Sequence, residues 1–240
     1  MGKIQHRHLQ DNGLLSSIRE LIFGLEDSLV STLGVVVGIG AGTHDAKVVM
    51  LSGVVLVVVE ALSMAAGSYI SSKSHRQMLQ QAIREEEYEI EHEPEAETEE
   101  LRGMYRTRGF SENEIEILIR RVTSDKKLWL EEMMAKELKI NSADLEEPSK
   151  NAVVMFLSYF AGGVVPIAPF AIFSVPVAMV AATGLTLVSL FLVGFVKGRA
   201  LDHDGLKSGT EMVAVSASAA LIGYLIGRAA GYFFGINPSG

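Results

Sequence analysis

The chain has 240 residues, no cysteine, 48% hydrophobic residues and a formal net charge of −8. The acidic balance argues against nucleic-acid binding, which needs a basic surface to displace counterions, and the lack of cysteine excludes disulfides, thiolate metal sites and cysteine nucleophiles. Because the charges are concentrated in one internal segment and near the N-terminus, while long windows elsewhere carry almost none, the composition predicts a polytopic membrane protein.

Residues 1–20 are polar and lack the apolar region of a cleavable signal peptide, so we expect the first hydrophobic segment to remain as a membrane helix. A helix needs about 20 apolar residues to cross about 30 Å of hydrocarbon. Segments of sufficient length are 21–41, 48–70, 152–173, 175–196 and 212–234. Two prolines, Pro166 and Pro169, predict an irregular third span, because proline interrupts helical hydrogen bonding. Such prolines are tolerated in a membrane where neighbouring helices or water satisfy the freed backbone groups.

Basic residues predict the orientation, because they are enriched on the cytoplasmic side of membrane proteins. Outside the acidic segment they are Lys3, Arg7, Arg19, Lys197, Arg199 and Lys207, whereas the other face offers only Lys47. We therefore expect a cytoplasmic N-terminus and a cytoplasmic acidic segment. The short polar N-terminus favours a prokaryotic cell membrane over a vacuolar membrane.

The first and fifth spans are rich in glycine, with Gly34, Gly38 and Gly42 in one and Gly223 and Gly227 in the other. This four-residue spacing lets helices approach closely. Two interpretations stay open at this point: ordinary packing within one protomer, and a seam between the protomers of a dimer.

The acidic segment between the second and third spans predicts a small helical domain. Residues 71–88 contain no helix breaker, so the second span should continue as one long helix until Pro94, which suits the first turn of a new helix. Further helices are expected over 111–122, where Ser111 and Glu114 suit a capping box, and over 125–138. The predicted domains are 1–72 with spans one and two, 73–150 as a cytoplasmic acidic metal-binding domain, and 151–240 with spans three to five.

The phasing of the acidic residues predicts a metal site. Two pairs of glutamates are three residues apart and one Met–Glu pair is four apart, spacings that put side chains on one helical face. The candidate ligands are Glu86, Glu89, Glu97, Glu100, Met133, Met134 and Glu137. Mixed carboxylate and thioether ligands suit a borderline divalent ion such as Fe²⁺, with Mn²⁺, Co²⁺ and Zn²⁺ less favoured.

The alternative is that the charge runs are solvated faces and the methionines are core residues. Against this, many like charges destabilise a compact fold unless something neutralises them. We interpret the remaining carboxylates as charges that solvate the domain or attract cations rather than as ligands. They are Glu85, Glu87, Glu91, Glu95 and Glu99.

Ionisable residues within the spans are functional candidates because charges at membrane depth are costly. Asp27 lies in the first span and Glu60 in the second, and Met64 lies one turn beyond Glu60 as a soft ligand. A carboxylate there could exchange a proton for a metal ion. The structural alternative pairs Glu60 with Arg228 of the fifth span.

These residues together resemble the vacuolar iron transporter family. The matching segments are 24–29 (GLEDSL), 61–67 (ALSMAAG), the proline-split glutamate helices and 129–138. The resemblance implies a homodimer with five membrane helices per chain, no prosthetic group, the seven ligands above as a cytoplasmic metal site, and Asp27 and Met64 on a metal route between protomers. It also implies export of Fe²⁺ from the cytoplasm in exchange for protons.

Two positions depart from the family pattern. Leu56 stands where the family often has a carboxylate, with Glu60 one turn later, and Ser68 stands where an acidic residue commonly follows the Ala-Ala-Gly. These departures bear on the proton path and on the ion preference that the resemblance implies, and they leave the predicted class unchanged.

The leading hypothesis is a proton-coupled transporter of Fe²⁺, with Mn²⁺ second, working in a lipid bilayer. The alternatives are a membrane-anchored metal-binding or sensing module without transport, and a scaffold with an acidic partner-binding domain. An enzyme is not expected, because no nucleophile–base pair, phosphate loop or cofactor motif is visible.

Overall fold

A computed structural model describes residues 12–139, 147–200 and 203–233. Within these ranges all regular structure is helical, which confirms the predicted all-α class for the described chain. In order, the helices are α1 (Asn12–Thr43), α2 (Ala46–His92), α3 (Pro94–Thr107), α4 (Glu112–Val122), α5 (Lys126–Lys136), α6 (Pro148–Ile167), a 3-10 helix (Ala168–Ala171), α7 (Val175–Ala200) and α8 (Gly205–Phe233).

Five of the described helical segments are long and apolar enough to cross a membrane, and this confirms the five predicted spans. They are α1, the apolar first part of α2, α6 with its 3-10 extension, α7 and α8. The third span is irregular as predicted, because α6 passes through Pro166 and changes to the 3-10 helix after Ile167. Residue 234, the predicted end of the fifth span, lies outside the described residues.

The chain divides into two compact units. One, here called the acidic unit, contains Ser71–Glu147, and the other, here called the membrane unit, contains Leu14–Ile70 and Pro148–Gly240. Helix α2 supplies residues to both units. The assignment of a cytoplasmic metal-binding role to residues 73–150 stays a prediction.

The acidic unit folds as its turn residues predict. Pro94 occupies the first turn of α3, and Ser111 and Glu114 form the expected capping box at the start of α4. Asp125 caps α5 by accepting hydrogen bonds from backbone amides. The hydrophobic core of the unit consists of Ile90, Leu101, Tyr105, Ile115, Ile119, Val122, Trp129 and Met133. This core brings α2, α3, α4 and α5 together.

The glycines of α1 and α8 pack against each other within one protomer. A Cβ atom built on Gly38 would lie 2.8 Å from the carbonyl oxygen of Gly223, and one on Gly42 would lie 2.9 Å from that of Gly227. Larger side chains would therefore force the two helices apart. The first of the two interpretations of the glycine spacing is confirmed for these positions, and a dimer seam on another face stays a prediction.

Candidate metal-binding and membrane carboxylate sites

Three carboxylates converge in the acidic unit. Glu86 lies on α2, Glu97 lies on α3, and Glu137 directly follows the last residue of α5. Each offers an oxygen within 4.8 Å of the others. The helix break at Pro94 makes this possible, because α2 and α3 turn their acidic faces towards one another. Glu86 is only 2% exposed and Glu97 only 7% exposed, so this set, here called the carboxylate cluster, is not an ordinary solvated face.

The carboxylate cluster is electrostatically frustrated without a cation. Burial, followed by the charges of Glu137 and Glu97, raises the pKa of Glu86 from 4.5 to about 8. Burial also raises the pKa of Glu97 and of Glu137, and in both cases the charge of Glu100 adds to the effect. One oxygen of each cluster residue is buried without a hydrogen-bond partner among the described residues. A divalent cation would neutralise these charges and use these oxygens as ligands.

The remaining predicted ligands occupy different environments. Glu89 and Glu100 are exposed and lie outside the set of converging oxygens. Both nevertheless raise the pKa of cluster residues through their charge. Met133 is fully buried in the hydrophobic core, whereas Met134 is half-buried. The three-residue spacing thus gives one buried and one exposed glutamate in each pair, and metal binding by all seven residues stays a prediction.

The five carboxylates that were assigned a solvating role are exposed, as expected. Glu85, Glu87, Glu91, Glu95 and Glu99 all lie at the surface. An ion pair with Lys126, whose Nζ atom lies 2.8 Å from a Glu91 oxygen, lowers the pKa of Glu91. These acids therefore have protein or solvent partners, unlike the cluster.

The membrane unit holds a second acidic site, formed by α1, α2 and α6. The hydroxyl of Tyr159 donates a hydrogen bond to Glu60 and lies 2.9 Å from the Oγ atom of Ser31. Asp27 is near enough for its charge to interact with that of Glu60. Asp27, Glu60 and Met64 are all half-buried. The structure thus brings Asp27 and Glu60 together and adds a tyrosine that donates to one of them.

Arg228 has a different partner from the one considered as a structural alternative. Its guanidinium donates to the hydroxyl of Tyr224 at 3.2 Å, while Glu60 accepts from Tyr159. The arginine therefore does not explain the carboxylate in the second span.

Sequence reasoning missed Tyr159 as the hydrogen-bond partner of Glu60 and Ser31 as a partner of the Tyr159 hydroxyl. The available signal was chemical: a tyrosine within a membrane span needs a hydrogen-bond partner for its hydroxyl when it is buried, and Tyr159 is fully buried. The partner itself could not be chosen from sequence, because helix pairing within the bundle decides it.

A multi-pass helical membrane protein with carboxylates in its spans and a buried carboxylate cluster has the general features of an ion transporter. The family model described as the VIT family matches residues 18–228, and the chain belongs to this family. Proteins of this family are transporters rather than enzymes, which confirms both the predicted resemblance and the expectation that the chain is not an enzyme.

The chain is similar over most of its length to proteins named vacuolar iron transporters. It is 27% identical over 227 residues to vacuolar iron transporter 1 of Oryza sativa subsp. japonica, covering 93% of this chain and 90% of the relative. It is 28% identical over 211 residues to vacuolar iron transporter 1 of Eucalyptus grandis, covering 86% and 84%. It is also 27% identical over 243 residues to the vacuolar iron transporter of Toxoplasma gondii, covering 97% and 80%.

Proposed function

We propose that this protein transports Fe²⁺, with Mn²⁺ as a second substrate, out of the cytoplasm in exchange for protons. The observation that carries the proposal is the convergence of three carboxylates in the acidic unit. Two of them are buried, and each has an oxygen with no hydrogen-bond partner in the part of the chain that the structure describes. Family membership and relatives named vacuolar iron transporters support it.

The carboxylate cluster would act as the loading site. Its oxygens suit a hard or borderline divalent ion. Half-buried Met134, three residues before Glu137 in the chain, would offer a softer ligand that favours Fe²⁺ over Mg²⁺. Because the pKa of Glu86 is about 8, the empty cluster holds a proton at neutral pH. Loading of a metal ion would then release that proton.

The membrane carboxylates would form the route itself. Asp27 and Glu60 lie in one site of the membrane unit, and carboxylates at membrane depth could hold a metal ion and a proton in alternation, which would couple the movements of the two. Met64 would contribute a thioether. We place the acidic unit on the cytoplasmic side, and a homodimer would provide the second half of the route.

Transport into liposomes under a pH gradient tests the proposal. We expect uptake of Fe²⁺ and, more slowly, Mn²⁺ only when the gradient is present, and we expect Asp27→Asn to abolish it. The variant Y224F, which alters a tyrosine in the same unit away from the acidic site, serves as the control. Uptake that ignores the pH gradient would contradict proton exchange, and no uptake of either metal would contradict the proposed function.

A metal-binding or sensing module without transport is the second candidate. It is favoured by the acidic unit, which has its own hydrophobic core and its own cluster. Metal binding by the full-length protein in detergent separates the two candidates when it is measured beside uptake. Binding at the cluster with no uptake under any gradient would identify the module, whereas loss of uptake in Asp27→Asn with binding retained would identify the transporter.

A further inference from the structure

Three hydroxyl groups in the membrane unit lack the partners that such groups normally have. Thr32 on α1, Thr186 on α7 and Ser216 on α8 are each fully buried, and none of the three oxygens has a hydrogen-bond partner among the described residues. Helical threonines commonly donate to their own backbone, as Thr183 does to the carbonyl oxygen of Met179 at 2.8 Å. A buried hydroxyl without a partner is costly and requires an explanation.

Close contacts between α7 and α8 place Thr186 and Ser216 at one level. A Cβ atom built on Gly194 would lie 2.8 Å from the Cα atom of Gly209. Thr186 lies eight residues before Gly194, and Ser216 lies seven residues after Gly209. Because α7 and α8 run in opposite directions, these two steps lead the same way along the bundle. With a rise of about 1.5 Å per residue, the two positions differ in height by only a few ångströms.

Contacts between α1 and α7 add Thr32 to the same level. A Cβ atom built on Gly40 would lie 3.4 Å from the side chains of both Val175 and Met179. Thr32 lies eight residues before Gly40, and Thr186 lies seven residues after Met179 and eleven after Val175. Since α1 and α7 also run in opposite directions, the two threonines lie at matching heights.

Apolar layers made by the same three helices enclose this level on both sides. One turn away in one direction lies a hydrophobic cluster composed of Leu29, Leu190 and Met212. In the other direction the main core includes Leu33, Ala182 and Ala220. The three hydroxyls therefore form a polar layer within an apolar stack, at the junction of α1, α7 and α8.

The chemistry of the layer selects its ligand. Each hydroxyl can donate one hydrogen bond and accept two, while the set carries no negative charge, so a cation would lie there unneutralised. Thr32 is five residues from Asp27, or about 140° around α1, which separates the layer from the membrane carboxylates. A buried water typically makes about three hydrogen bonds to such otherwise unpaired groups.

We propose that Thr32, Thr186 and Ser216 form an internal water-binding site that joins α1 to α7 and α8. The bound water completes the hydrogen bonding of all three hydroxyls. It also fixes α1, the helix that carries Asp27, against the other two helices. The site does not depend on which ion the protein transports.

A structure of the wild-type protein in lipid, at a resolution that shows ordered water, tests the site directly. We expect a density peak within about 3.2 Å of at least two of the three hydroxyl oxygens. A layer without such a peak, or with the hydroxyls bonded directly to one another, would overturn the proposal.

Thermal unfolding of apolar variants gives a second measurement, which the proposal must also pass. Thr32→Val, Thr186→Val and Ser216→Ala should each lower the midpoint by about 2–4 °C, and the triple variant should lose less than the sum, because one water serves all three groups. If the hydroxyls are simply unsatisfied, their removal relieves a penalty and leaves the midpoint unchanged or higher. That outcome would overturn the proposal.

Matched controls exist on the same helices. Thr183→Val on α7 and Ser218→Ala on α8 remove hydroxyls that already donate to their own backbones, to Met179 and Ala214. We expect their effects to be smaller and to add to one another. If the controls showed the same non-additivity as the three hydroxyls, the coupling would belong to the bundle as a whole and the proposal would fail.

Discussion

The two units of this protein each hold acidic residues away from bulk water, but they satisfy them differently. In the acidic unit, Glu86, Glu97 and Glu137 face one another and each leaves an oxygen unpartnered within the described residues. In the membrane unit, Glu60 receives a hydrogen bond from Tyr159. A site whose charges repel one another favours an incoming cation, whereas a carboxylate with a neutral donor can also remain stable without one. Under the proposed function, the acidic unit would capture the metal ion and the membrane unit would pass it across the membrane.

The largest expected effect tests whether capture depends on the cluster itself. Replacement of Glu86, Glu97 and Glu137 by glutamine should weaken Fe²⁺ and Mn²⁺ binding by more than the roughly 10–100-fold that is typical for loss of an outer-shell partner, since the converging oxygens lose their charge. Anaerobic calorimetry on the full-length protein measures the affinity. The control replaces exposed Glu85, Glu87 and Glu95 by glutamine, and an equal loss in both variants would mean that bulk charge, rather than the cluster, binds the metal.

The next effect concerns the pH dependence of binding. Because the pKa of Glu86 is raised to about 8, a metal must displace a proton below that pH, and affinity should rise about tenfold per pH unit for each proton displaced. Titrations between pH 6 and 9, values chosen to bracket about 8, should show this slope, and Glu86→Gln should flatten it. A slope that persists in the variant would assign the proton to another group.

Tyr159→Phe tests the donor in the membrane unit. It leaves Glu60 without its hydrogen bond, which costs about 1–3 kcal/mol for a buried group, so the unfolding midpoint should fall by several degrees and metal uptake should change with it. Tyr224→Phe removes a hydroxyl bonded to exposed Arg228 and should change the midpoint little. Equal effects of the two substitutions would show that Glu60 does not depend on Tyr159.

A separate effect should appear in the stability of the metal-free protein. The folded-state pKa of Glu86, about 8, lies above its ordinary value of 4.5, so protonated Glu86 favours the folded state. Its contribution is complete below about pH 4.5 and is lost as the pH rises towards 8. The metal-free midpoint should therefore fall over this window, and saturating Mn²⁺ should remove the fall. A midpoint that rose with pH would contradict repulsion within the cluster.

The smallest effect is expected at the surface of the acidic unit. Glu91 forms an exposed ion pair with Lys126, and such pairs contribute little. Glu91→Gln should leave both the metal affinity and the midpoint within measurement error. A clear loss of affinity would extend the site beyond the cluster.

Local signals in the sequence predicted the helices well. Pro94, the Ser111–Glu114 capping box and the apolar length of each span act on the chain within a few residues, and the structure follows them. Helical spacing places each glutamate pair on one face of its helix, but it does not say which member of the pair turns inwards. The candidate ligands could therefore be chosen from the sequence, whereas the buried set could not. That choice depends on the packing of α2, α3 and α5 around a shared core.

Contacts between spans that are distant in the chain could not be predicted from the sequence. The bond from Tyr159 to Glu60 joins residues from α6 and α2, and the contact of Gly38 with Gly223 joins α1 and α8. Both depend on which helices become neighbours, and apolar periodicity carries little information about neighbours when lipid and protein interiors are equally apolar.

The difference in exposure between the two members of each glutamate pair has a consequence for ionic strength. Glu89 and Glu100 are exposed, so dissolved salt screens their attraction for a cation over about 8 Å at physiological concentrations. Buried Glu86 and Glu97 are screened much less. Added salt should therefore lower the association rate of a metal ion with the acidic unit far more than it raises the dissociation rate. The two rate constants should thus differ in their dependence on ionic strength.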